Sequence, residues 1–405
     1  MAKYITKRAF LAVATMLIIC AITFFSMNAI PGGPFDGEKA ISPEVRRVLE
    51  ERFNLDKPLP EQFVIYLNNL LHGDFGVSTK TGREIKTTIF DAFGVSAKLG
   101  LQAAMVAVFC AASPTFRTYN TLVNILDSSY YIALMAIGVV FPLITGGVDL
   151  SIGTGLACYA LVGGYLTTKM GVPVALAMVV TVLMGVCLGF LNGILVSFME
   201  LPPFLATLCT CMITRGLGSV LCGGFGVSWP SSMNPAGWFR KIFRLSVGDK
   251  VIPIGIVLVI VLVAVMSFVL KHTKMGRYTI AIGSNKEAAR LAGVNVKKYH
   301  LLAYVICGLF AGLAGVAYAA TYPTMYPGSG AGEEMFAIGG AIVGGVSASG
   351  GSGTILGAFL GVLVICLMRV GLPFVGLQSD WQQIITGMVL IGAVLVDILK
   401  NKKVK

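Results

Sequence analysis

The chain has 405 residues, of which 56% are hydrophobic and only 12% are charged. Soluble domains carry about 25% charged residues, so the composition excludes an ordinary soluble domain. The formal net charge is +12, and the gathering of lysine and arginine in cytoplasmic loops explains it better than nucleic-acid binding does. Apolar runs of about 20 residues recur, each long enough to cross about 30 Å of hydrocarbon. The sequence therefore predicts an all-α, polytopic integral membrane protein with about 9–11 transmembrane or re-entrant helices.

The first apolar run extends from Ala9 to Ile30 and follows three basic residues. It is longer than the core of a cleavable signal peptide, so we expect an uncleaved helix whose N-terminus is cytoplasmic. Residues 35–96 are polar and charged, which is typical of a water-exposed insert with short amphipathic helices. The next apolar run, Leu99–Ala112, is short and contains Gln102. It is either a re-entrant helix or a further membrane crossing.

From residue 130 onward, closely spaced apolar runs predict nine helices within the membrane. They are 130–147, 150–168, 173–199, 202–225, 251–270, 301–321, 335–348, 353–372 and 383–399. Two hydrophilic segments, 226–250 and 271–300, interrupt the series, and the second is rich in lysine and arginine with a single acid. The positive-inside rule places 271–300 and the basic tail 400–405 in the cytoplasm. Counting crossings then places 226–250 and 114–129 outside.

The stretch FPLITGGVDLSIGTG, residues 141–155, places an acid and four glycines between two apolar runs. An ionised side chain within a bilayer is costly and usually faces a cavity or a partner, and glycine allows backbones to approach closely. We therefore predict a helix break and a substrate pathway formed by Gly146, Gly147, Asp149, Ser151 and Gly153. The alternative is that Asp149 is the N-cap of a helix that begins near Leu150, and both roles can hold together.

A similar stretch recurs near the C-terminus. GGVDLSIGTG at 146–155 is similar to GGVSASGGSG at 344–353, and the tripeptide Ala-Ile-Gly precedes both. Internally duplicated transporters place paired helix interruptions along the substrate path. We interpret the two stretches as a weak internal repeat; the alternative is a chance similarity between glycine-rich turns.

The basic hydrophilic segment contains a short predicted helix. The residues Ser284–Glu287 have the spacing of a capping box, and Gly293 suits the C′ position. On the helix between them, Ala288, Leu291 and Ala292 share one face. Such a surface helix suits docking onto a partner, but an ordinary juxtamembrane helix fits the pattern equally well.

Motifs for chemistry are missing from the sequence. No G-x-x-x-x-G-K-[ST] phosphate loop occurs, and GGPFDGEK at 32–39 fails its spacing. H-E-x-x-H and G-x-S-x-G are also absent, and the nine cysteines and three histidines show no metal or disulfide spacing. We expect no catalytic residue, no metal and no cofactor in this chain, so that any ATP that drives transport binds a partner subunit.

From about Ser113 to Lys400, the chain resembles the permease subunits of ribose-type monosaccharide ABC importers. The matching stretches, in order, are SPTFRTYNTLVNIL, ITGGVDLSIG, AIGSNKEAARLAGVNV, AIGGAIVGGVSASGGSGTILGAFLG and QSDWQQIITGMVLIGAVLVDIL. The resemblance implies a second permease copy, a cytoplasmic ATPase subunit, an extracytoplasmic sugar-binding protein and a bacterial plasma (inner) membrane. It also implies that the short helix contacts the ATPase, through Lys286, Glu287, Ala288, Ala289, Arg290 and Gly293.

Residues 1 to about 109 resemble the start of oligopeptide or dipeptide ABC permeases. The matching stretches are YITKRAFLAV, NAIPGGPFD, ISPEVRRVLEERFNLDKPLPEQFVIYL, NLLHGDFGVS and VSAKLGLQA. We therefore expect a peptide-permease-like segment, 1–112, and a sugar-type permease domain, 113–405, joined between Leu101 and Ser113. The join is either a natural gene fusion or an error in gene prediction or assembly. The peptide-type resemblance implies that the helix at 97–113 runs inward, and the sugar-type resemblance implies that it runs outward.

The expected function follows from the sugar-type permease domain, 113–405, because it is the longer of the two pieces. It implies a multi-pass permease subunit, with both termini cytoplasmic, that translocates a monosaccharide such as ribose, xylose or a galactoside delivered by a binding protein. The alternatives are a peptide importer directed by the N-terminal piece and an ion-coupled secondary carrier that works without an ATPase.

Overall fold

The chain divides into two compact units, Met1–Gly94 and Val95–Lys405. The computed structural model describes residues 15, 17–27, 57–78, 84–248 and 250–402. The described residues are predominantly helical, which confirms the predicted all-α class.

In the first unit, α1 (Leu17–Met27) and α2 (Leu59–Leu71) meet through aromatic side chains. The centre of the Phe24 ring lies 5.3 Å from that of Phe63 and 5.6 Å from that of Tyr66. Helix α1 falls within the first predicted apolar run, and α2 falls within the predicted insert. The ends of that run, the turn that follows it and residues 35–56 and 79–83 of the insert lie outside the described residues.

The remaining helices belong to the second unit. They are α3 (Ile85–Ala112), α4 (Tyr119–Ile144), α5 (Ser151–Thr168), α6 (Val174–Ser197), α7 (Pro203–Leu221), α8 (Gly255–His272), α9 (Lys274–Ser284), α10 (Lys286–Leu291), α11 (Val296–Thr321), α12 (Glu333–Val343), α13 (Ile355–Gly371) and α14 (Ser379–Lys402). Of these helices, only α3 crosses the boundary, since it begins in the first unit at Ile85. Among the described helices, six are long and apolar enough to cross a membrane: α4, α6, α7, α8, α11 and α13 with its extension to Val375.

Helix α11 occupies the middle of the bundle and packs against α6 along most of its length. Gly308 and Gly312 of α11 face Gly185 and Gly189 of α6, and a Cβ atom at any of these positions would overlap the neighbouring backbone. Small residues at such contacts are typical of membrane helix bundles, where close backbone approach replaces the hydrophobic driving force.

The bundle of the second unit has two chemically different ends. The basic end holds the segment 271–300, and Lys297 pairs there with Glu200 of the α6–α7 connection at 3.6 Å. The opposite end holds the connections 226–254 and 322–332. There, β1 (Val227–Ser228) pairs antiparallel with β4 (Thr324–Met325), and β2 (Leu245–Val247) pairs with β3 (Lys250–Ile252).

Two predicted elements differ from the structure. Helix α4 begins at Tyr119 rather than near residue 130, so most of 114–129, predicted as an external loop, is helical. Its first turns are polar because they line a cavity, and hydropathy alone therefore placed the start of this helix too late. Helix α12 has 11 residues, about 16 Å at 1.5 Å per residue, so the helix predicted at 335–348 is present but too short to cross the membrane. The other seven predicted helices from residue 150 onward each coincide with a helix.

The short apolar run Leu99–Ala112 is the second half of the long helix α3. The Gln102 side chain donates to the Leu360 carbonyl of α13 at 2.7 Å, and the Phe109 ring packs against Gly371 at the end of α13. This half of α3 therefore runs parallel to α13, toward the opposite end. If the basic end is cytoplasmic, this is the outward direction that the sugar-type resemblance implies.

Candidate functional site

The first glycine-rich stretch separates α4 from α5 over residues 145–150. Helix α4 ends in a Schellman motif, in which the Gly146 N–H donates to the Leu143 carbonyl at 2.9 Å. The Gly147 N–H donates to the Pro142 carbonyl at 2.9 Å. Gly146 has a φ of +84°, a left-handed conformation that favours glycine and that this motif requires. The predicted helix break is present.

Asp149 lies at the start of α5 and is only 1% exposed. Its Oδ1 accepts hydrogen bonds from the Ser151 N–H at 2.9 Å and from the Ser151 hydroxyl at 2.6 Å. The carboxylate thus satisfies a donor of the helix N-terminus in the way that an N-cap does, although Leu150 is the boundary residue of α5. Asp149 therefore makes a cap-like hydrogen bond, but the predicted N-cap position is off by one residue, since the N-cap is Leu150.

Side chains from two neighbouring helices enclose Asp149. The Asn192 amide of α6 donates to the Ser151 hydroxyl at 2.9 Å and lies 3.5 Å from both Asp149 oxygens. The buried Tyr304 hydroxyl of α11 makes no hydrogen bond to any described residue. It lies so close to Gly147 that a Cβ atom on this glycine would overlap it. Asp149 therefore sits inside the bundle, and its membership of a solute pathway stays a prediction.

Gly153 lies where α5 meets the start of α12. A Cβ atom at Gly153 would overlap the Glu334 side chain and the Gly330 carbonyl. The structure thus groups Gly147, Asp149 and Ser151 in one buried polar cluster, whereas Gly153 serves the contact between the two halves of the predicted repeat.

The second glycine-rich stretch, residues 344–354, separates α12 from α13. Helix α12 also ends in a Schellman motif, with Gly345 at a φ of +91° and its N–H donating to the Ile342 carbonyl at 2.8 Å. The Thr354 hydroxyl caps α13 by accepting from the Gly357 N–H at 3.0 Å. The helix before each break ends in a Schellman motif. The glycine in the left-handed conformation is Gly146, the first of its pair, at the first break and Gly345, the second of its pair, at the second break. The structural match is therefore shifted by one residue against the sequence match.

The two breaks touch each other at the basic end. The Gly351 N–H donates to the Ile144 carbonyl, the last of α4, at 2.8 Å. The end of α9 joins this contact, because a Cβ on Gly283 would overlap the Ile144 carbonyl and the Ser284 hydroxyl lies 3.4 Å from the Gly351 carbonyl. We call Ile144, Gly283, Ser284 and Gly351 the glycine junction.

Helix α10 begins directly after the glycine junction. Its N-cap is Asn285, whose side chain accepts from the Ala288 N–H at 2.9 Å. The predicted capping box with Ser284 as the cap is therefore wrong by one residue, because Ser284 still belongs to α9. The predicted C′ position is confirmed: Gly293 has a φ of +81°, and its N–H donates to the Arg290 carbonyl at 3.0 Å.

Helix α10 has one buried residue and an otherwise exposed surface. Ala289 is 6% exposed and packs with Ile282 and Val296, so it anchors the helix to its own protein. The other residues predicted to contact the ATPase are exposed: Lys286, Glu287, Ala288, Arg290 and Gly293. Leu291 is 81% exposed although it is apolar. The predicted apolar face therefore points away from the described part of the protein.

Sequence analysis missed a polar cavity of about 400 Å³ at the opposite end. Its polar lining includes Asn124, Asp127, Ser128, Arg244, Arg369 and Gln382. Arg244 pairs with Asp127, and Arg369 pairs with Glu333 through two bonds of 2.8 Å each. A signal was available, since Asp127 and Glu333 are acids within otherwise apolar helices, and such residues mark functional sites by default.

The fold and these sites define a class: a polytopic α-helical membrane protein with paired helix breaks and a polar cavity, the organisation of a transport permease. Residues 121–394 match the family model described as the branched-chain amino acid transport system / permease component. The chain belongs to this family. Residues 1–100 match a second model, described as the N-terminal part of a binding-protein-dependent transport system membrane component.

Curated relatives align over 74% of the chain. The ribose import permease protein of Escherichia coli K12 is 35% identical over 306 residues, which are 74% of this chain and 91% of the relative. The D-allose transport system permease protein of the same organism is 34% identical, over 74% of this chain and 90% of the relative. The galactose/methyl galactoside import permease protein of Salmonella typhimurium is 32% identical, over 74% and 93%. No solved structure matches the chain.

Proposed function

We propose that the chain is the membrane permease subunit of a bacterial ABC importer and that it translocates a monosaccharide. Relatives named for the import of ribose, allose and galactosides support this, because each aligns over at least nine-tenths of its own length. The structural observation that carries the proposal is the glycine junction. It connects the exposed helix α10 to both helix breaks through direct contacts between backbones.

Energy for transport would come from partners. A cytoplasmic ATPase subunit binds ATP, an extracytoplasmic sugar-binding protein delivers the monosaccharide, and a second permease copy completes the assembly. Helix α10 offers the ATPase an apolar contact at Leu291 with charged neighbours at Lys286, Glu287 and Arg290. Because α9 leads from α10 to Ile144 and Gly351, a displacement of α10 is transmitted to both breaks.

The orientation follows from charge. The basic end faces the cytoplasm by the positive-inside rule, which also places the C-terminal tail there, and the N-terminus is proposed to be cytoplasmic as well. Exposed apolar side chains on α6 and α8, such as Leu183 and Phe268, face the lipid bilayer of the inner membrane. The basic residues then have a role in topology and require no nucleic-acid partner.

The five residues of the first break, Gly146, Gly147, Asp149, Ser151 and Gly153, are proposed to shape the pathway by ending one helix and starting the next. Asp149 holds the start of α5, and the glycines permit the approach of α11 and α12. Their contribution to transport is thus the geometry of the break, which moves with the glycine junction.

We further propose that residues 1–112 and 113–405 are pieces of two permease families joined between residues 101 and 113. Support comes from two family models that match 1–100 and 121–394 without overlap. Sequencing the genomic region across codons 95–120 tests this proposal. A frameshift or an assembly gap in that region would show that the join is not natural.

The experiment for the main proposal uses the complete complex reconstituted in proteoliposomes. Leu291→Asp is expected to lower the ATPase activity stimulated by the loaded binding protein at least tenfold, with unchanged thermal stability of the permease. The matched control is Met199→Asp, because Met199 is an apolar residue that is 63% exposed at the basic end but does not belong to α10. Normal stimulation in Leu291→Asp would contradict the assignment of α10 as the ATPase contact.

A second candidate solute is an amino acid, because the family description names branched-chain amino acid transport. Uptake of labelled ribose, allose, galactose and leucine by the same proteoliposomes separates the two candidates. A peptide, suggested by the resemblance of residues 1 to about 109 to oligopeptide or dipeptide permeases, belongs in the same panel. Uptake driven by an ion gradient without the ATPase would contradict the ABC mechanism.

A further inference from the structure

The cavity at the opposite end has a lining suited to hydrogen bonding. Three of its residues, Asn124, Asp127 and Ser128, lie on one face of α4, while Arg244 comes from the 226–254 connection. Arg369 comes from α13. The volume of about 400 Å³ lies within the range of roughly 300–1,000 Å³ that is typical of small-molecule pockets.

The charges around the cavity balance. Asp127 pairs with Arg244, and Glu333 pairs with Arg369, which gives two acids and two guanidinium groups. A solute with a net charge would find no unpaired countercharge among these groups. An amino acid with a branched apolar side chain needs an apolar surface to bind that side chain. Among the described residues that line the cavity, Val370 is the one aliphatic residue. The lining therefore favours a neutral, polar solute.

Unused hydrogen-bonding capacity lies beside the cavity. Asp127 is 2% exposed, and its Oδ1 accepts no hydrogen bond from any described residue. The Nε of Arg244 likewise has no partner in the described part of the chain, whereas the Tyr130 hydroxyl interacts with the Asp127 carboxylate itself. Buried polar groups are rarely left without a partner. The acceptor on Asp127 and the donor on Arg244 match a hydroxyl group of a polyol, which can both donate and accept.

An aromatic cluster adjoins the two ion pairs. The rings of Tyr131 and Tyr318 lie 5.1 Å apart, and those of Tyr318 and Tyr322 lie 4.6 Å apart. The Tyr131 hydroxyl donates to Glu333 at 3.0 Å, and Tyr322 lines the cavity. Aromatic rings give an apolar face beside polar groups, which suits a sugar ring, whose C–H and O–H groups point in different directions.

Helices that line the cavity lead to both breaks. Helix α4 carries Asp127 at the cavity and ends at the first break, and α13 carries Arg369 and begins at the second break. Glu333 opens α12, the other helix of the second break, and its carboxylate holds Arg369. A solute in the cavity is therefore in contact with the helices that the glycine junction connects.

We propose that this cavity is a sugar-contacting site of the permease. A neutral monosaccharide enters it from the opposite end and exchanges hydrogen bonds with Asp127, Arg244 and Arg369 before it passes the helix breaks. The site deepens the proposed function and rests on it. No bond is formed or broken, and the site holds the sugar weakly enough to release it.

The test uses the full complex in proteoliposomes, with labelled ribose, allose and galactose as probes. Asn124→Trp places a large ring at the exposed rim of the cavity, and it is expected to lower uptake at least tenfold. The matched control is Leu122→Trp, because Leu122 is 52% exposed on the same helix but does not line the cavity. Asp127→Asn removes the charge of the buried acid, and it is expected to lower uptake at least fivefold while the stimulated ATPase activity stays within twofold.

The outcomes separate the two proposals. If the wild-type complex carries none of the three sugars, the proposed function fails and this site fails with it. If the wild type carries a sugar and Asn124→Trp carries it at the same rate, the site alone is overturned. Where Asp127→Asn does not assemble, the two exposed tryptophan variants decide the question. Equal losses in Asn124→Trp and Leu122→Trp would also overturn the site.

Discussion

The two ends of the bundle are joined by different kinds of contact. At the basic end, Ile144, Gly283 and Gly351 meet through their backbones, with no side chain between them. At the opposite end, long charged side chains form two ion pairs around a cavity. Where two backbones are in direct contact, neither can move without displacing the other, so the contact transmits a displacement of one helix to its neighbour. The groups of an ion pair can instead exchange partners with a polar solute. The difference is the basis on which we propose coupling at one end and solute contact at the other.

The largest effect is expected from a side chain within the glycine junction. Gly283→Ala would place its Cβ on the Ile144 carbonyl, and backbone cannot move aside as a flexible side chain can. We expect the protein to lose about 3 kcal/mol of stability, at the upper end of the usual cost of overpacking. Thermal and chemical unfolding of the purified permease in detergent measures the loss.

A second glycine provides the control for this prediction. Gly392 is also helical, and a Cβ there would meet nothing within 4 Å. Gly392→Ala is expected to stabilise the protein by about 0.5–1 kcal/mol, the ordinary gain within a helix. If Gly283→Ala were equally stabilising, the close contact at the glycine junction would be wrong.

The next largest effect concerns the opposite end. Glu333→Gln removes the charge that both guanidinium nitrogens of Arg369 bind. Breaking a largely buried ion pair from one side costs about 3 kcal/mol, because the partner charge remains without compensation. Arg369→Met is expected to cost about as much, and the double variant Glu333→Met/Arg369→Met is expected to recover most of the loss. Additive losses in this double-mutant cycle would show that the pair is not coupled.

A smaller effect separates the two roles considered for Asp149. Asp149→Ala removes the acceptor for the Ser151 N–H and is expected to cost about 1–2 kcal/mol, as the loss of a helix cap does. Asp149→Asn keeps an acceptor oxygen, so its stability and sugar uptake are expected to stay close to those of the wild type. Uptake that is lost in a stable Asp149→Asn protein would instead show that the solute pathway needs the charge.

Much of the fold could be predicted because apolar runs of membrane length leave few alternatives. The prediction failed where that rule does not apply. Helix α4 begins with polar turns at Tyr119 because they line the cavity, and α12 is apolar but has only 11 residues, too few to span. Polarity inside a membrane protein reflects what a helix faces, and hydropathy cannot report that.

The sites were predicted unevenly, for a related reason. The helix breaks and the C′ glycine of α10 depend on local backbone chemistry, which a short stretch such as Gly146–Asp149 displays directly. The cap of α10 was misplaced by one residue because Ser284 and Asn285 can both cap, and only the end of α9 decides between them. The cavity was missed because Asp127 and Arg244 are separated by more than a hundred residues, and no local pattern connects them.

The smallest effect on stability, and a sharper test of the basic end, is expected from Glu287→Gln. The pair between Glu287 and Arg290 is exposed on both sides, at 69% and 67%, so its loss should change stability by less than about 0.5 kcal/mol. The pair can still matter for docking, since α10 is the proposed contact with the ATPase. We expect stimulated ATPase activity to fall about twofold to fivefold in Glu287→Gln, with a weaker dependence on salt because fewer charged contacts remain to be screened. Glu200→Gln, which breaks the exposed pair with Lys297 away from α10, should leave that activity unchanged. An equal fall in both variants would mean that the charge of the basic end as a whole, rather than α10, recruits the ATPase.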